Sequence, residues 1–564
     1  MTTRYITTPI YYVNDRPHIG HCYTTLLADA LTRAERLRQG SSVQSATAVP
    51  GVFFLTGTDE HADKVVTSAA AHNMTAIQWA DRNAAEFAKA FAFMECRYDD
   101  FIRTTQDRHK TRVTEYVTAL IKSGAIYKGS YEGWYDENQE EYLTETVAKE
   151  QEYKSAVTGK PLVRRTEPCY FFKLSAFAQR IEAHFKAHPE FVQPEARRNE
   201  VLGRLRDGLN DVPISRPVTD DPATQFGIRV PGDEQHRIYV WIDALFNYLS
   251  VVDTDERRAL WPASVHIIAK DILWFHAVIW PAMLMALQDT AKINATRFGF
   301  VGLPGTVYSH AYWVREGRKM SKSLGNFVTI EVLEAYAGKY SIDAVRWYML
   351  TQGPQHAQDA DFSHSKFVEV FNADLANGIG NCASRVANMI EKYFPGTSGG
   401  SIPAHHGKYT WSNVATGGTE TFDWPAITAA ASGKVRTALT TFDLPAALSA
   451  GIDLVRKVDQ FINVTAPFKL AKTVEANPAA KDELGVILYQ CAEAVRIASV
   501  LLSPALVSRM PMLWDAWGCK PWPGLNLEDA CVFGAGKASL KPGQPLRKPD
   551  NLFMRADPAE APPA

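Results

Sequence analysis

The chain has 564 residues, which is too long for one hydrophobic core and indicates about three or four modules. With 46% hydrophobic and 22% charged residues, its composition is typical of a globular protein that folds in water. The formal net charge of −2 excludes a globally basic particle, so we expect no DNA binding, and any RNA contact must come from local basic patches.

The seven cysteines include no CxxC pair, and their number is odd. This pattern favours reduced thiols in a cytoplasm and argues against a disulfide framework or a cysteine-based zinc site. The opening segment MTTRYITTPIYYVN lacks the charged and then apolar pattern of a signal peptide. One apolar run, residues 272–287, is too short to cross a membrane. We therefore expect a cytoplasmic protein in which this run is buried.

The first hundred residues alternate between strand and helix patterns. Residues 5–13 and 52–56 are predicted to be strands, and residues 18–38 and 62–93 have the periodicity of helices. Continuous apolar strands separated by helices predict a parallel sheet covered on both faces.

From residue 125 to residue 215 the pattern changes, and we interpret this segment as a small inserted domain. The strand and helix pattern returns at 236–249 and 265–280. After residue 366 the chain has long helical segments that predict an all-α bundle. A Gly-, Ser- and Thr-rich loop is expected at 395–420, and the Pro-rich residues 550–564 are expected to be frayed.

Two histidines, His18 and His21, stand three residues apart at the predicted start of the first helix, with Gly20 between them. Residues three apart share a helix face, and the unpaired N–H groups of a first turn attract anions. Imidazole N–H groups add donors for a phosphate, and Gly20, which has no Cβ, lets a nucleotide lie close to the backbone. The motif alone is equally compatible with two surface histidines that cap a helix.

A second motif, GRKMSKSLGN at residues 317–326, places Lys319 and Lys322 in a Gly- and Ser-rich loop. Two ammonium groups on a flexible loop can close over transferring phosphates and balance the charge of a departing pyrophosphate. The alternative is a basic solvated turn, which describes most lysine-rich loops. Together, HxGH in an opening strand–helix unit and KMSKS far downstream resemble the class I aminoacyl-tRNA synthetases.

Within that class, the chain resembles the methionyl-tRNA synthetase family along most of its length. The similar segments are TTPIYYVNDRPHIGH, FFLTGTDEH, ISRP, YVWIDALFNY, AKDILWFH, GRKMSKSLGN and NADLANGIGNCASR. The resemblance implies an α/β fold, with a Rossmann-like parallel-sheet catalytic domain split by a connective insertion and followed by an all-α anticodon-binding bundle. The implied boundaries are 1–124 and 216–300 for the catalytic halves, 125–215 for a zinc-free connective insertion, 301–365 for a stem-contact region with the KMSKS loop, 366–535 for the anticodon-binding domain and 536–564 for a C-terminal tail.

The resemblance also assigns roles to residues of this sequence. ATP would be bound by His18, Gly20, His21, Lys270, Asp271, Met320 and Lys322, with Asp271 accepting from the ribose. Lys322, supported by Lys319, His18 and His21, would stabilise the transition state. Asp59 would pair with the α-ammonium of methionine, although the commoner role for such an aspartate, and for Asp271, is to cap a helix.

A methionine side chain needs an apolar slot with polarizable walls, because each sulfur–aromatic contact contributes about 0.3–1.5 kcal/mol. Candidate wall residues fall at predicted strand ends and turns, where such a slot would lie: Ile10, Tyr12, Trp241, Ala244, Tyr248, Phe275 and His276. Aromatic residues at such places are more often plain core.

The implied reaction is in-line attack of the methionine carboxylate on the α-phosphate of Mg²⁺–ATP, followed by transfer of methionine from the adenylate to the terminal adenosine of tRNA(Met). No side chain need act as a nucleophile, so positioning and charge stabilisation would supply the catalysis. The implied ligands are L-methionine, ATP with Mg²⁺ and tRNA(Met), without structural zinc, and the expected state is a monomer.

The resemblance places anticodon recognition in the bundle, at Asn377, Asn381, Arg385 and Phe468. The two asparagines and Arg385 are four residues apart and share a helix face, where they could read base edges, and an aromatic ring could stack on an unstacked base. The alternative is an exposed polar helix face for the first three residues and a core position for Phe468.

Some positions depart from the family pattern. Many relatives bind zinc through cysteine clusters in the connective insertion, whereas this insertion has GWYDENQEEYLTE and the lone Cys169. Ala269 stands where the family usually has glycine before Lys-Asp, and Phe468 stands where tryptophan is usual.

Several other functions fit the sequence less well. The isoleucine, leucine and valine enzymes of the class need a large editing domain, for which residues 125–215 are too few, and a cysteine enzyme should carry zinc ligands. An RNA-binding synthetase relic would have no reason to keep both histidines and both lysines. A small-molecule adenylyltransferase can share HxGH but lacks a long helical C-terminal half.

Overall fold

The computed structural model describes residues 3–40, 51–136, 141–143, 145–155, 159–294, 297–315, 317–320, 326–415, 418–519 and 524–563. The first part of the chain contains β1 (Arg4–Tyr12), α1 (Ile19–Gln39), β2 (Val52–Asp59), α2 (Asp63–Ala71), α3 (Ala76–Phe93), β3 (Asp100–Arg103) and α4 (Asp107–Lys122). The predicted single helix over 62–93 is wrong, because Asn73 adopts a left-handed φ of 55° and Thr75 caps a new helix. The side chains of Thr75 and Gln78 close a capping box there.

The inserted segment is mainly antiparallel. It contains β4 (Ile126–Asp136), β5 (Glu141–Leu143), α5 (Glu145–Glu150), β6 (Val163–Phe172), α6 (Ala178–Ala187), β7 (Val192–Gln193), α7 (Glu195–Leu205), β8 (Val212–Pro213), β9 (Ser215–Pro217), α8 (Pro222–Gln225), β10 (Arg229–Val230) and β11 (Asp233–Ile238). Strands β5, β4, β6 and β8 form one sheet in that order, and β10, β11 and β9 form another.

The chain then returns to the parallel sheet. This part contains α9 (Val240–Leu245), α10 (Asn247–Ser250), β12 (Val265–Ala269), α11 (Trp280–Asn294), β13 (Thr306–His310), β14 (Trp313–Arg315), β15 (Arg318–Lys319), α12 (Ile330–Tyr340), α13 (Ile342–Gln352) and β16 (Ala360–Asp361). The apolar run 272–287 is buried as predicted, with Trp280, Met283, Leu284 and Leu287 fully inaccessible.

The C-terminal half is a helical bundle with small strands. It contains α14 (His364–Val370), a π-helical segment (Phe371–Gly380), α15 (Asn381–Tyr393), β17 (Pro395–Gly396), β18 (Gly399–Ser401), β19 (Thr410–Ala415), β20 (Gly418–Asp423), α16 (Trp424–Thr440), α17 (Leu444–Thr465), α18 (Pro467–Leu470), α19 (Ala479–Leu502), α20 (Arg509–Ala516), α21 (Leu527–Ala530) and β21 (Pro545–Leu546). Within the described residues, α19 is the one helix long and apolar enough to cross a membrane, and its most apolar window is wholly buried in the bundle.

Two expectations for this half need correction. The segment 395–420 is not simply a loop, because β19 pairs with β20, and β18 pairs with both β17 and β21. The Pro-rich end is not frayed where it carries apolar residues, since Leu552, Phe553 and Ala556 are buried. The side chain of Asn372 binds both the N–H and the carbonyl of Ala556, each at 2.9 Å.

The central sheet has six strands in the order β3-β2-β1-β12-β13-β7, and every neighbouring pair is parallel. This confirms the predicted parallel-sheet fold. The chain adds β2 and β3 on one side of β1, and it adds β12 and β13 on the other side. Strand order therefore reverses at β1, and ligands of such sheets bind at the carboxyl ends of the strands at this point.

Hydrophobic cores cover both faces of this sheet. Alternate residues of β1 and β2 enter different cores, with Ile6 and Phe54 in one and Tyr5 and Phe53 in the other. The first core continues through α1 into the helical bundle, so the catalytic sheet and the bundle share one apolar interior.

Candidate active site

A cavity of about 490 Å³ lies at the carboxyl edge of the parallel sheet, at the strand reversal. It takes residues from the ends of four strands, including Tyr12 of β1, Asp59 of β2, Ala269 of β12 and His310 of β13. A register irregularity in β1 between Thr7 and Ile10 re-aims the last residues of this strand at the cavity.

The two motif histidines meet at the first turn of α1, on one side of the cavity. His18 is the N-cap, and its Nδ1 accepts from the Gly20 N–H at 3.1 Å, while Nδ1 of His21 accepts from the His18 N–H at 3.2 Å. The ring centroids are 3.9 Å apart. A Cβ at residue 20 would lie 3.0 Å from Cε1 of His18, so glycine lets the ring fold over the turn without being pushed aside.

Burial lowers the pKa of His18 to about 4 and lowers the pKa of His21 well below its ordinary value, with the neighbouring His18 adding to the effect. Both rings are therefore neutral near pH 7. Because each Nδ1 accepts a hydrogen bond, the proton of each ring is on Nε2. The turn presents two neutral N–H donors to whatever enters the cavity.

The predicted apolar slot forms one wall of the same cavity. The residues that line it are Ile10, Tyr12, Asp59, Trp241, Ala244, Tyr248 and His276. Phe275 stacks on Trp241, with the ring centroids 4.6 Å apart. Tyr12 packs edge-on against Trp241, with the ring centroids 5.7 Å apart. Aromatic rings thus form much of the wall of the slot, a surface that suits a thioether.

Two polar side chains of this slot, His276 and Tyr248, are hydrogen-bonded to each other. Nδ1 of His276 donates to the Ile272 carbonyl at 3.0 Å, so Nε2 is free to accept from the Tyr248 hydroxyl at 2.8 Å. Burial lowers the pKa of His276 to about 4 and raises that of Tyr248, so both are neutral. The slot therefore offers no charge to a side chain that enters it.

Unlike Tyr248 and His276, Asp59 has an unpaired polar atom. It is a buried carboxylate whose Oδ1 has no hydrogen-bond partner. It caps no helix, since α2 begins only at Asp63 with Ala62 as its N-cap. Burial, then the charges of Asp243 and Glu60, raise the pKa of Asp59 well above its ordinary value. A cationic group is what this position lacks.

The neighbouring Asp243 is fully paired. His61 Nδ1 lies 2.7 Å from one of its carboxylate oxygens, and His109 Nε2 lies 2.8 Å from the other. Burial raises the pKa of Asp243, but the two histidines outweigh it and bring this pKa to about 2. The bridge fastens the loop after Asp59 to the helix that carries Trp241 and Ala244.

Of the other residues predicted to bind the nucleotide, some line the cavity and others do not. Asp271 lines the cavity, whereas Lys270 pairs with Asp359 at 2.7 Å. Met320 is buried in the core. Lys319 begins the motif at the end of β15, with its side chain outside the described residues, and Lys322 lies outside them altogether.

Several lining residues are not predicted from the sequence. They are Asn14, His310, Tyr312 and Phe327, together with Thr24, which is 2.8 Å from Nε2 of His310. His310 ends a strand of the same sheet, so the rule that strand ends carry ligand groups could have found it. Phe327 follows the second motif directly, and its ring packs against that of His18, with the centroids 5.2 Å apart.

A separate cavity of about 560 Å³ lies on the helical bundle. Asn377, Asn381 and Arg385 line it together, although the backbone is kinked at Gly378. The Arg385 guanidinium donates to two side-chain oxygens of α17, those of Asp459 at 3.5 Å and Asn463 at 3.4 Å. The C-terminal segment adds Lys548, Asn551 and Arg555 to the lining.

Phe468 follows α17 on the short helix α18 and is 44% exposed. The alternative that it is a core residue is therefore excluded. Among the described parts of the chain, no three or more His, Cys, Asp and Glu side chains come together as they would around a metal ion. Cys169 is buried, with Sγ 3.4 Å from the Ser215 carbonyl.

Comparison with known proteins gives one consistent result. The family model described as tRNA synthetases class I (M) matches residues 4–151 and 148–387. Methionine–tRNA ligase of Streptomyces coelicolor is 39% identical, with 98% of this chain and 96% of that protein covered. The protein of the same name from Bacillus subtilis is 35% identical, with 96% and 77% covered.

A solved structure agrees with these sequences. Mycobacterium tuberculosis methionyl-tRNA synthetase in complex with methionyl-adenylate has a TM-score of 0.79 at 32% identity, and 98% of this chain and 100% of that chain are covered. The fold and the family model together define a class I aminoacyl-tRNA synthetase. Within this class, the chain belongs to the methionyl-tRNA synthetase family. The family, the fold class and the enzyme class predicted from the sequence are confirmed.

The unpaired Oδ1 of Asp59 leads to a prediction in which replacing this residue lowers activity but raises stability. We expect Asp59→Asn to lower kcat/KM for methionine by about 10²–10³, because a charge-assisted contact is lost. The same variant should be more stable. The raised pKa of Asp59 means that the folded state loses stability as pH rises above the ordinary aspartate range, and asparagine removes this loss.

Thermal unfolding from pH 5.5 to 8, together with methionine-dependent exchange, tests this expectation. Asp207→Asn, at an exposed carboxylate outside the cavity lining, is the control and should change neither quantity. A variant that loses both activity and stability would mean that Asp59 has a structural role.

Proposed function

We propose that this chain activates L-methionine with ATP at the sheet-edge cavity and transfers it from methionyl-adenylate to tRNA(Met). The observation that carries the proposal is that one cavity holds two neutral histidine donors, an apolar aromatic slot and a buried carboxylate with one unpartnered oxygen. The donors suit phosphates, the slot suits a thioether side chain, and Asp59 suits an α-ammonium group.

ATP–pyrophosphate exchange with a panel of amino acids tests this function. We expect exchange with methionine and at most weak exchange with isoleucine, leucine, valine and cysteine. An equal or faster exchange with any of those four would replace the methionine assignment by another class I specificity, and a complete lack of exchange would favour an RNA-binding relic.

The proposed chemistry needs no protein nucleophile. A methionine carboxylate oxygen attacks the α-phosphorus, the bond to the bridging oxygen of pyrophosphate breaks, and pyrophosphate leaves with the electron pair. Nε2–H of His18 and of His21 would hold the phosphates, with Gly20 giving them room, and Asp271 would accept from the ribose. Mg²⁺ enters with ATP as part of the substrate.

Lys270 and Met320 are proposed to support the nucleotide from outside the cavity lining. Lys270 would exchange its ion pair with Asp359 for contact with a phosphate. The methionine side chain would occupy the slot of Ile10, Tyr12, Trp241, Ala244, Tyr248, Phe275 and His276.

The proposal includes a zinc-free, monomeric and cytoplasmic enzyme. Cys169 is engaged with Ser215, and all seven cysteines are buried free thiols, as suits a reducing compartment. One chain supplies every group of the proposed site. Metal analysis of the purified protein tests the first point, and one tightly held zinc per chain would contradict it.

Lys322 is proposed as the main group that stabilises charge on the departing pyrophosphate, with Lys319 assisting. We expect Lys322→Ala to lower the rate of adenylate formation by roughly 10²–10³ while methionine affinity stays nearly unchanged. Pre-steady-state adenylate formation measures both quantities. Lys366→Ala, on an exposed helix lysine, is the control, and a Lys322 variant with a near-normal rate would end this assignment.

The cavity on the bundle is proposed to read the anticodon. Asn377 and Asn381 offer both donors and acceptors to base edges, and Arg385 can bond or stack. Phe468 has an exposed ring on which an unstacked base can lie, next to the helix that holds the partners of Arg385.

Stacking on an aromatic ring is worth about 1–3 kcal/mol per base, so Phe468→Ala should weaken tRNA use by about ten- to a hundredfold. We expect tRNA-independent exchange to stay intact and Phe468→Trp to be tolerated. Ile77→Ala, at a residue that is also 44% exposed, controls for loss of surface apolar area. Equal loss of exchange and aminoacylation in Phe468→Ala would remove the anticodon role.

A further inference from the structure

Some residues that line the sheet-edge cavity carry a buried polar atom without a hydrogen-bond partner: Tyr23, Asp59, Asn247 and Trp313. The atoms of Tyr23 and Trp313 are a hydroxyl and an indole N–H, whereas those of Asp59 and Asn247 are oxygens that accept hydrogen bonds. Buried polar groups of folded proteins are normally paired, so such atoms indicate where a ligand brings the missing partner. Asn247 is the acceptor that the proposed reaction leaves unused.

Asn247 is the first residue of α10 and is only 1% exposed. Its Nδ2 donates to the Ala244 carbonyl at 2.6 Å. This contact fixes which end of the carboxamide is the nitrogen, so Oδ1 is the end without a partner. A buried acceptor that lacks a donor costs free energy, and a ligand that supplies the donor recovers it.

The wall that carries Asn247 is a wall of the amino-acid slot. Asn247 lies next to Tyr248 and three residues after Ala244, and both of these line the slot. The residues proposed for the nucleotide come from other elements, mainly α1 and the segment after β12. A donor of the amino acid is therefore better placed to meet Oδ1 than a donor of ATP.

A hydrogen bond joins this wall to the loop that follows Asp59. Asp243, four residues before Asn247, is 2.7 Å from Nδ1 of His61, two residues after Asp59. After burial, the negative charge of Asp243 is the largest influence that raises the pKa of Asp59, so the two carboxylates are near each other. Both unpartnered oxygens thus belong to parts of the cavity that are fastened together.

The chemistry of the ligand shows which group can use both oxygens. In methionine the ammonium group is the only hydrogen-bond donor, because the carboxylate and the thioether only accept. An ammonium group has three N–H bonds, and the unpartnered oxygen of Asp59 can take one of them. A neutral carboxamide oxygen can take a second without adding another negative charge beside Asp59 and Asp243.

We propose that Oδ1 of Asn247 is a second acceptor for the α-ammonium group of the amino acid, an inference that rests on the proposed function. Asp59 supplies the opposite charge, and Asn247 supplies a further directed hydrogen bond. This contact is made in the ground state and in the transition state alike. Asn247 is thus a specificity-determining residue that selects amino acids over other carboxylates with the same side chain.

Asn247→Leu tests this role because it removes the oxygen at similar side-chain volume. The Ala244 carbonyl keeps a donor in this variant, the N–H of Phe246. We expect KM for methionine in pyrophosphate exchange to rise about ten- to a hundredfold, with kcat and KM for ATP within about threefold of the wild type. Thermal stability without ligands should not fall, because an unpartnered buried oxygen is removed.

Two pairs of ligands identify the group that Asn247 contacts. Methioninol and 4-(methylthio)butan-1-ol differ only in the ammonium group, and competitive inhibition of exchange measures their affinities. The preference for methioninol should fall about tenfold or more in Asn247→Leu. Methionine and norleucine differ only at the position of the sulfur, and the ratio of their kcat/KM values should stay within about twofold of the wild type.

Asn83→Leu is the matched control. Asn83 is also a helix asparagine that is 1% exposed, its Nδ2 donates to the Trp79 carbonyl at 3.1 Å, and it does not line the cavity. This variant should change neither preference. Asn247→Asp keeps an acceptor oxygen at the proposed contact, so its preference for methioninol should equal or exceed that of the wild type.

Three results would overturn the inference. An unchanged preference for methioninol in Asn247→Leu would mean that Oδ1 does not contact the ammonium group. A changed ratio of methionine to norleucine would assign Asn247 to the side chain, and an equal rise in KM for ATP and for methionine would assign it to the nucleotide.

The aspartate variant keeps the inference testable if Asn247→Leu does not fold. In that case, loss of the methioninol preference in Asn247→Asp would contradict the proposed contact, and its retention would support it. By contrast, a wild type without methionine-dependent exchange would reject the proposed function itself.

Discussion

The geometry of the molecule depends on the burial of one guanidinium group, that of Arg346. Its partners are the Asp29 carboxylate at 2.7 Å and the carbonyls of Met94, Pro504 and Ala505 at 2.7, 3.0 and 3.0 Å. A buried charge that loses its partner costs about 3–5 kcal/mol, so these partners must be present together. They lie on α1, at the end of α3 and after α19. One side chain thus fixes the catalytic helix against the bundle.

The histidine pair benefits from this arrangement because it stands at the first turn of α1, the helix that carries Asp29. A helix fixed by Asp29 cannot shift along its axis without breaking the buried pair, so its first turn keeps its place at the sheet edge. In the proposed site the rings of His18 and His21 need such support, because neutral imidazoles would hold phosphates through directed hydrogen bonds rather than through charge. In the proposed reaction, net positive charge would then come from the lysines of the second motif. Neutral donors suit a reaction in which pyrophosphate must first be held and then released.

The sequence predicted those features that depend on local patterns. Strand β1 and helix α1 follow from continuous apolar residues and helical periodicity, and His18 and His21 from their spacing at the junction. Features set by tertiary contacts were not predictable in this way. The break before Thr75 needs a left-handed Asn73, and the packing of Phe553 needs a bundle surface that no local pattern reveals. The bridge from Asp243 to its two histidines joins residues far apart in the chain, and no spacing rule indicates it.

Two carboxylates in this site have opposite environments, and the difference explains what the slot would select. Asp243 has its negative charge paired by His61 and His109, so it is permanently ionised and its field acts on Asp59. Asp59 has no such partner, and its charged form is costly until a cation arrives. Beyond it, the Tyr248 hydroxyl donates to Nε2 of His276, and Nδ1 of His276 donates to the Ile272 carbonyl, so these hydrogen atoms are already engaged. A ligand that brings an ammonium group and an apolar side chain satisfies both conditions. A polar side chain against the Tyr248 and His276 pair would lose its hydration beside donors that are already engaged, and an unmade hydrogen bond of this kind costs about 1–3 kcal/mol.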